Sequence, residues 1–178
     1  MKTKLILAAA TILLASAFTI IQAVDWKVKE DYKIQFNSGK TFNPEAASGS
    51  TFKGLKATIL FDTVNPEKSK IKASIEAASI DIGGYEKITA HAKEPNVLDV
   101  EKHPVITFES LAITKSDTGY YATGNLTIKD VTKEIKFPFS FKKESFVGGF
   151  TIATEDFNIT RGNAWKDVYI RLIIPVTK

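Results

Sequence analysis

The chain has no cysteine, one methionine, two histidines and six prolines in 178 residues. Without cysteine there is no disulfide framework, no thiolate metal site, no cysteine nucleophile and no lipid-modified N-terminal cysteine. The two histidines, His91 and His103, do not stand at a one-turn helical spacing, and no recognised ligand motif surrounds them. They read as surface or structural side chains. No Gly-x-Ser-x-Gly elbow occurs. Ser38-Gly39-Lys40-Thr41 resembles the tail of a phosphate-binding loop, but the earlier glycine is replaced by Ile34 and the chain continues into Phe42-Asn43-Pro44 instead of a helix. It reads as a turn.

A long apolar run is also missing after residue 24, and the one present lies at the start. Met1-Lys2-Thr3-Lys4 precedes Leu5 to Leu14, and small residues follow at Ala15-Ser16-Ala17 and Ile21-Gln22-Ala23. This is the order of a secretory signal peptide, expected to end after Ala23, with Ala17 as the other compatible site. An uncleaved anchor is the alternative, since the run is long enough to span a bilayer. The expected organisation is a leader over 1–23 and one domain over 24–178, placed in the periplasm or outside the cell. Two of the 24 basic residues and none of the 20 acidic ones lie in the leader, so the mature charge falls to about +2. That small excess, with aromatics opposite the lysines on the same strands, argues against nucleic acid as a partner.

What the mature chain has in quantity is alternation. Eight segments read as strands. In the first, Trp26, Val28, Tyr32, Ile34 and Phe36 share a face opposite Lys27, Lys29, Asp31, Lys33 and Gln35. The second carries Leu55, Ala57, Ile59 and Phe61 and is stopped by Asp62 and Asn65-Pro66. The third, Ile71 to Ile82, changes phase at Ala78-Ser79, where a bulge is expected. The fourth, Val105 to Thr114, passes from Ile106 and Phe108 to Leu111 and Ile113. The fifth and sixth form one hairpin, GNLTIKDVTKEIKFPFSF, with Leu126 and Ile128 on one arm and Ile135, Phe137, Phe139 and Phe141 on the other. The seventh carries Phe146, Gly148, Phe150 and Ile152; the eighth Val168, Ile170, Leu172, Ile174 and Val176.

Between the third and fourth strands, Gly83 to Pro104 lacks alternation; a short helix is expected over Tyr85 to Lys93, with a turn of helix near Val97 to Glu101. So little helix cannot cover eight strands. The apolar faces must cover one another, in a closed antiparallel barrel or, as the alternative, a sandwich. An eight-stranded barrel either fills its interior with its own side chains or holds one small ligand, and alternation does not separate the two.

The hairpin also resembles the G-x-L-T-I-x-G-V-T-K pattern of the YceI-like family. Further similarity lies in Ile59-Leu60-Phe61-Asp62 with Asn65-Pro66, in Ser79-Ile80-Asp81, and in Leu98-Asp99-Val100-Glu101-Lys102-His103-Pro104-Val105-Ile106-Thr107-Phe108, in the family's order. The resemblance implies a lipocalin-like barrel, often exported, whose interior holds a polyisoprenoid or similar lipid-like molecule, with no cofactor and no catalytic residues, and with a membrane only as the source of the ligand. The inward residues expected to touch such a ligand are Phe36, Leu55, Ile59, Phe61, Leu126, Ile128, Phe137, Phe139, Phe150, Ile170 and Leu172, with Ile135 beside them in the hairpin. The chain departs from the family at Asp130, where a turn glycine is usual, at Asp31-Tyr32, where His-Ser is common, and at Thr154, where an Arg often stands. Lys53, Arg161 and Arg171 are the candidates to replace a headgroup-binding cation.

Overall fold

The structure, a computed structural model, describes residues 23–45, 49–160 and 166–178; the expected leader, apart from Ala23, and Arg161 lie outside them. Ten strands form within these residues: β1 (Val24–Val28), β2 (Lys33–Ser38), β3 (Thr51–Phe52), β4 (Lys56–Phe61), β5 (Lys70–Glu76), β6 (Val105–Lys115), β7 (Tyr120–Ile128), β8 (Val131–Lys142), β9 (Ser145–Ala153) and β10 (Asp167–Thr177). From β4 to β10 each strand pairs antiparallel with the next, and β10 returns to pair with both β1 and β2. β1 pairs with β4 and β2 with β3. Thus β1 with β2, and β3 with β4, are halves of two wall positions, and the sheet closes as an eight-stranded antiparallel barrel. Closure rules out the sandwich.

The first expected strand bends between Val28 and Lys33, where Lys29 N–H still donates to Pro175 O at 2.9 Å. Tyr32 spans the break, its hydroxyl accepting the Leu55 N–H at 3.0 Å. The expected bulge at Ala78-Ser79 is instead one turn of 3-10 helix over Ala77–Ser79. Either device shifts the side-chain phase by one, which brings Ile80 and Ile82 into the core. A true irregularity does occur in β6, between Ser110 and Ala112. It turns Leu111 out to 59 % exposure and leaves Ile113 fully buried, so Leu111 does not share the inward face of Ile113.

Helix α1 covers Glu86–Ala92. The expected helical turn after it is a series of hydrogen-bonded turns, with Asp99 left-handed at φ 48° and His103 N–H donating to Asp99 O at 2.8 Å. At the β7–β8 hairpin the left-handed residue is Lys129, φ 57°, and not Asp130. The missing family glycine therefore costs this turn nothing at position 130. The core divides in two along the barrel: one cluster holds Trp26, Phe61, Ile113, Phe139, Phe146 and Val176, the other Phe36, Ile80, Leu98, Leu126, Phe157 and Ile159.

Candidate functional site

Inward residues of every wall position leave a cavity of about 260 Å³ along the barrel axis. Ten of the eleven residues expected to face a ligand line it. Phe36 comes from β2, Leu55 and Ile59 from the second wall position, Leu126 and Ile128 from β7, Phe137 and Phe139 from β8, Phe150 from β9, and Ile170 and Leu172 from β10. Period-two placement along strands in register is enough to bring them together.

Phe61 stands elsewhere. It is 1 % exposed and lies among the rings of Tyr120, Phe139, Phe141 and Phe146, with centroids 5.0 to 5.8 Å away and all steeply inclined. Trp26 adds an edge contact to Phe141 at 5.0 Å, and its Nε1–H donates to Phe61 O at 3.3 Å. These rings fill the end of the barrel where the chain's β6–β7 and β8–β9 hairpins lie. Phe139 and Phe146 also border the cavity and form its floor. Ile135 packs against both core clusters but is not among the lining residues.

At the opposite end the cavity is roofed by Ile80 and Ile82, which follow the phase change of the third expected strand, by Ile159 beyond β9, and by Ala92, Val97 and Leu98 from the segment without alternation. For that segment the local signal is the i, i+4 spacing of Ile88 and Ala92, which share a helix face. The roof is tied down by main-chain bonds, Leu98 N–H to Ala92 O at 3.2 Å and Thr160 N–H to Asn96 O at 3.1 Å. Lys129 adds a strap, its Nζ donating to Pro95 O at 3.2 Å and Asn158 O at 3.1 Å.

The polar residues among those lining the cavity are limited to Ser74, Thr107 and Thr154, and the surface they bound is almost wholly apolar. A cavity of this kind has little to hold water with, because a buried water needs two to four polar partners. Thr154, 5 % exposed, borders the cavity at the position expected for an arginine and donates its hydroxyl to Lys166 O at 3.4 Å. Neither described candidate for a replacement cation reaches the interior. Lys53 is exposed, and Arg171 alternates with the lining residues Ile170 and Leu172 and lies 4.5 Å over the Phe42 ring on the outer face.

Catalytic or metal chemistry finds no constellation in this geometry. His91 Nδ1 is 2.6 Å from Glu94 Oε2 on the surface, away from the cavity lining, and among the described residues no group of three His, Cys, Asp or Glu could hold a metal ion. The most constrained carboxylate is Asp62, 3 % exposed. Its Oδ1 accepts the N–H groups of Val64 at 2.7 Å and Asn65 at 2.9 Å, and Asn65 Nδ2 donates to Oδ2 at 3.2 Å. The bond from the Asn65 main chain, foremost, holds its pKa below the usual carboxylate value against the opposing effect of burial. Asp62 thereby shapes the β4–β5 turn and lies outside the cavity.

Comparison with known proteins agrees with this architecture. A UPF0312 protein of Pectobacterium atrosepticum is 35% identical over 138 residues, 71% of this chain and 70% of that protein. Protein YceI of Salmonella arizonae is 32% identical over 136 residues, 71% of each. Among solved structures, Burkholderia cenocepacia BcnA superposes with a TM-score of 0.75 at 22% identity, over 85% of this chain and 100% of that one. A polyisoprenoid binding domain from Saccharophagus degradans does so with 0.55 at 10% identity, over 84% and 95%. At such identities the two structures speak to the fold alone. The family model described as the YceI-like domain matches residues 26–176, which is nearly the whole barrel, and the chain belongs to that family.

Proposed function

We propose that this protein is an exported, non-enzymatic carrier or sequestering protein for a long apolar or amphiphilic molecule, a polyisoprenoid or similar lipid, held inside the barrel. The observation that carries this reading is the cavity itself, apolar on all sides and running from the Phe139–Phe146 floor to the roof formed by α1 and the turns after it. Each methylene moved from water into such a space gains about 0.8 kcal/mol. A chain of isoprene units therefore gains binding energy with length without needing specific polar contacts.

The ten lining residues named above are the ligand contacts in this reading, and Phe61 supports the floor beneath them. The leader over 1–23 directs the chain to the periplasm or the exterior, and the membrane serves as the source of the ligand. The cavity weighs against a barrel filled by its own side chains. The Saccharophagus degradans domain that shares the fold is a polyisoprenoid binding domain, and this makes an isoprenoid the first ligand class to test.

The test is to purify the protein from its own host and examine it by native mass spectrometry and solvent extraction, then to offer it isoprenoid quinones and fatty amides. A retained amphiphile, or uptake of one of these, is expected. Finding neither would remove the proposal.

A further inference from the structure

A barrel closed by hydrogen bonds leaves a ligand two ends or a gap in the wall. In this protein one end is filled with interlocked rings and the other is roofed and strapped, as described above. Among the described residues the wall is interrupted between the first two wall positions and between β8 and β9. β8 and β9 pair from Lys142↔Ser145 to Phe139↔Gly148 and no further, although β8 runs back to Val131 and β9 on to Ala153. Their neighbours on either side stay paired over the same stretch, β8 with β7 as far as Val131 and β9 with β10 as far as Ala153.

Pro138 accounts for the stop. In a two-residue hairpin the closing pair, here Lys142 and Ser145, exchanges hydrogen bonds, so Ser140 and then Pro138 direct their main chains at β9. The Pro138 carbonyl does lie on that side, since a Cβ built on Gly148 would stand 2.7 Å from it. Proline has no N–H to give to Gly149, and the ladder ends where that bond is due. Beyond it two cavity-lining rings, Phe137 and Phe150, meet across the gap with centroids 5.0 Å apart. On the outer face Gly149 has no side chain, and the Tyr169 side chain lies over it. The other break, between the first two wall positions, is bridged by the Tyr32–Leu55 bond.

We propose that the β8–β9 seam is the portal through which an apolar chain enters and leaves the cavity, with Pro138 as the residue that keeps the wall unzipped and Phe137 and Phe150 as the rings that part. This rests on the carrier reading above. Passage parts the Phe137 and Phe150 rings beside the exposed Lys133–Asp156 ion pair, 3.8 Å, that joins β8 to the turn after β9, whereas either end requires breaking a ring cluster or several main-chain hydrogen bonds.

The test is stopped-flow uptake and release of the fluorescent fatty acid cis-parinaric acid. Pro138→Val restores the donor at an exposed position. It is expected to slow both rates at least tenfold, to leave Kd within about threefold, and to bring hydrogen-exchange protection to the amides of residues 138 and 151. Should that variant not fold, a second pair carries the test: Lys136→Cys with Thr151→Cys, opposite one another by continuation of the register, joined by a bis-maleimide in a chain that has no other thiol. The control joins Asn96→Cys to Thr160→Cys across the roof. The seam link should slow exchange and the roof link should not. Exchange unaffected by the seam link, or slowed as much by the roof link, overturns the portal and leaves the carrier reading intact. A wild-type protein that takes up no probe removes the carrier reading, and the portal with it.

Discussion

Phe61 meets Phe146 edge-on, with ring centroids 5.1 Å apart and planes inclined at 72°. That contact joins the end of β4 to the start of β9 across the barrel, and three further rings share it. Inclined aromatic pairs contribute beyond the area they bury. Phe61→Ala is therefore expected to cost about 3–5 kcal/mol, the range for removing a buried Phe. Urea unfolding followed by tryptophan fluorescence checks it, since Trp26 lies in the same cluster. A loss below about 1 kcal/mol would show that the closed end is not held by these rings.

The cavity predicts the opposite behaviour for a residue that adds volume. Ala57 and Ala73 are cross-strand partners on β4 and β5, and both line the cavity. In a packed core an added ring costs about 1–3 kcal/mol. Here the ring has empty space to enter. Ala57→Phe should leave the urea midpoint nearly unchanged and weaken binding of an apolar fluorescent probe at least tenfold. A large loss of stability with binding intact would mean that the space near Ala57 is not the ligand's.

Much of the barrel is legible in the sequence because a two-residue period reports directly on which side of a strand a residue faces. Depth along the strand carries no such mark. Phe61 and Ile59 have the same facing, yet one stands in the ring cluster and the other on the cavity. Phase shifts are visible but not their cause, so the 3-10 turn at Ala77–Ser79 reads as a bulge. Pro138 keeps its place in the alternation, exposed between Phe137 and Phe139, and the period passes through it undisturbed. What proline removes is a main-chain donor, which no side-chain pattern records. The roof is hidden for a different reason: Ala92, Val97 and Leu98 meet the cavity only through tertiary folding of an irregular segment.

Lys129 is exposed in its hydrogen bonding but joins two separate segments of the roof. Lys129→Ala removes both bonds, each of a kind that contributes about 1 kcal/mol net or less at a solvated site. The global midpoint should move little. Amide exchange should rise locally around residues 94–100 and 155–160, because local opening is controlled by the bonds it breaks and not by total stability. Uniform exchange changes across the barrel would contradict the assignment of Lys129 as a strap.

Asp62 sets an acid limit on the β4–β5 turn. Its pKa in the folded state lies below the ordinary value because N–H groups of Asn65 and Val64 bond the ionised form. A depressed pKa means that the unfolded chain binds the proton more readily. The stabilisation is therefore complete well above the unfolded value of about 3.9, and it is lost as pH falls through the lower, folded value. Asp62→Asn keeps an acceptor oxygen for the Val64 and Asn65 N–H groups but has no charge to titrate. Urea midpoints measured from pH 7 down to pH 2.5 should fall less steeply at the acid end for the variant than for the wild type, with the wild type the more stable of the two at neutral pH. Parallel curves would show that Asp62 makes no contribution to acid unfolding, and would leave its hydrogen bonds with a purely geometric role in the turn.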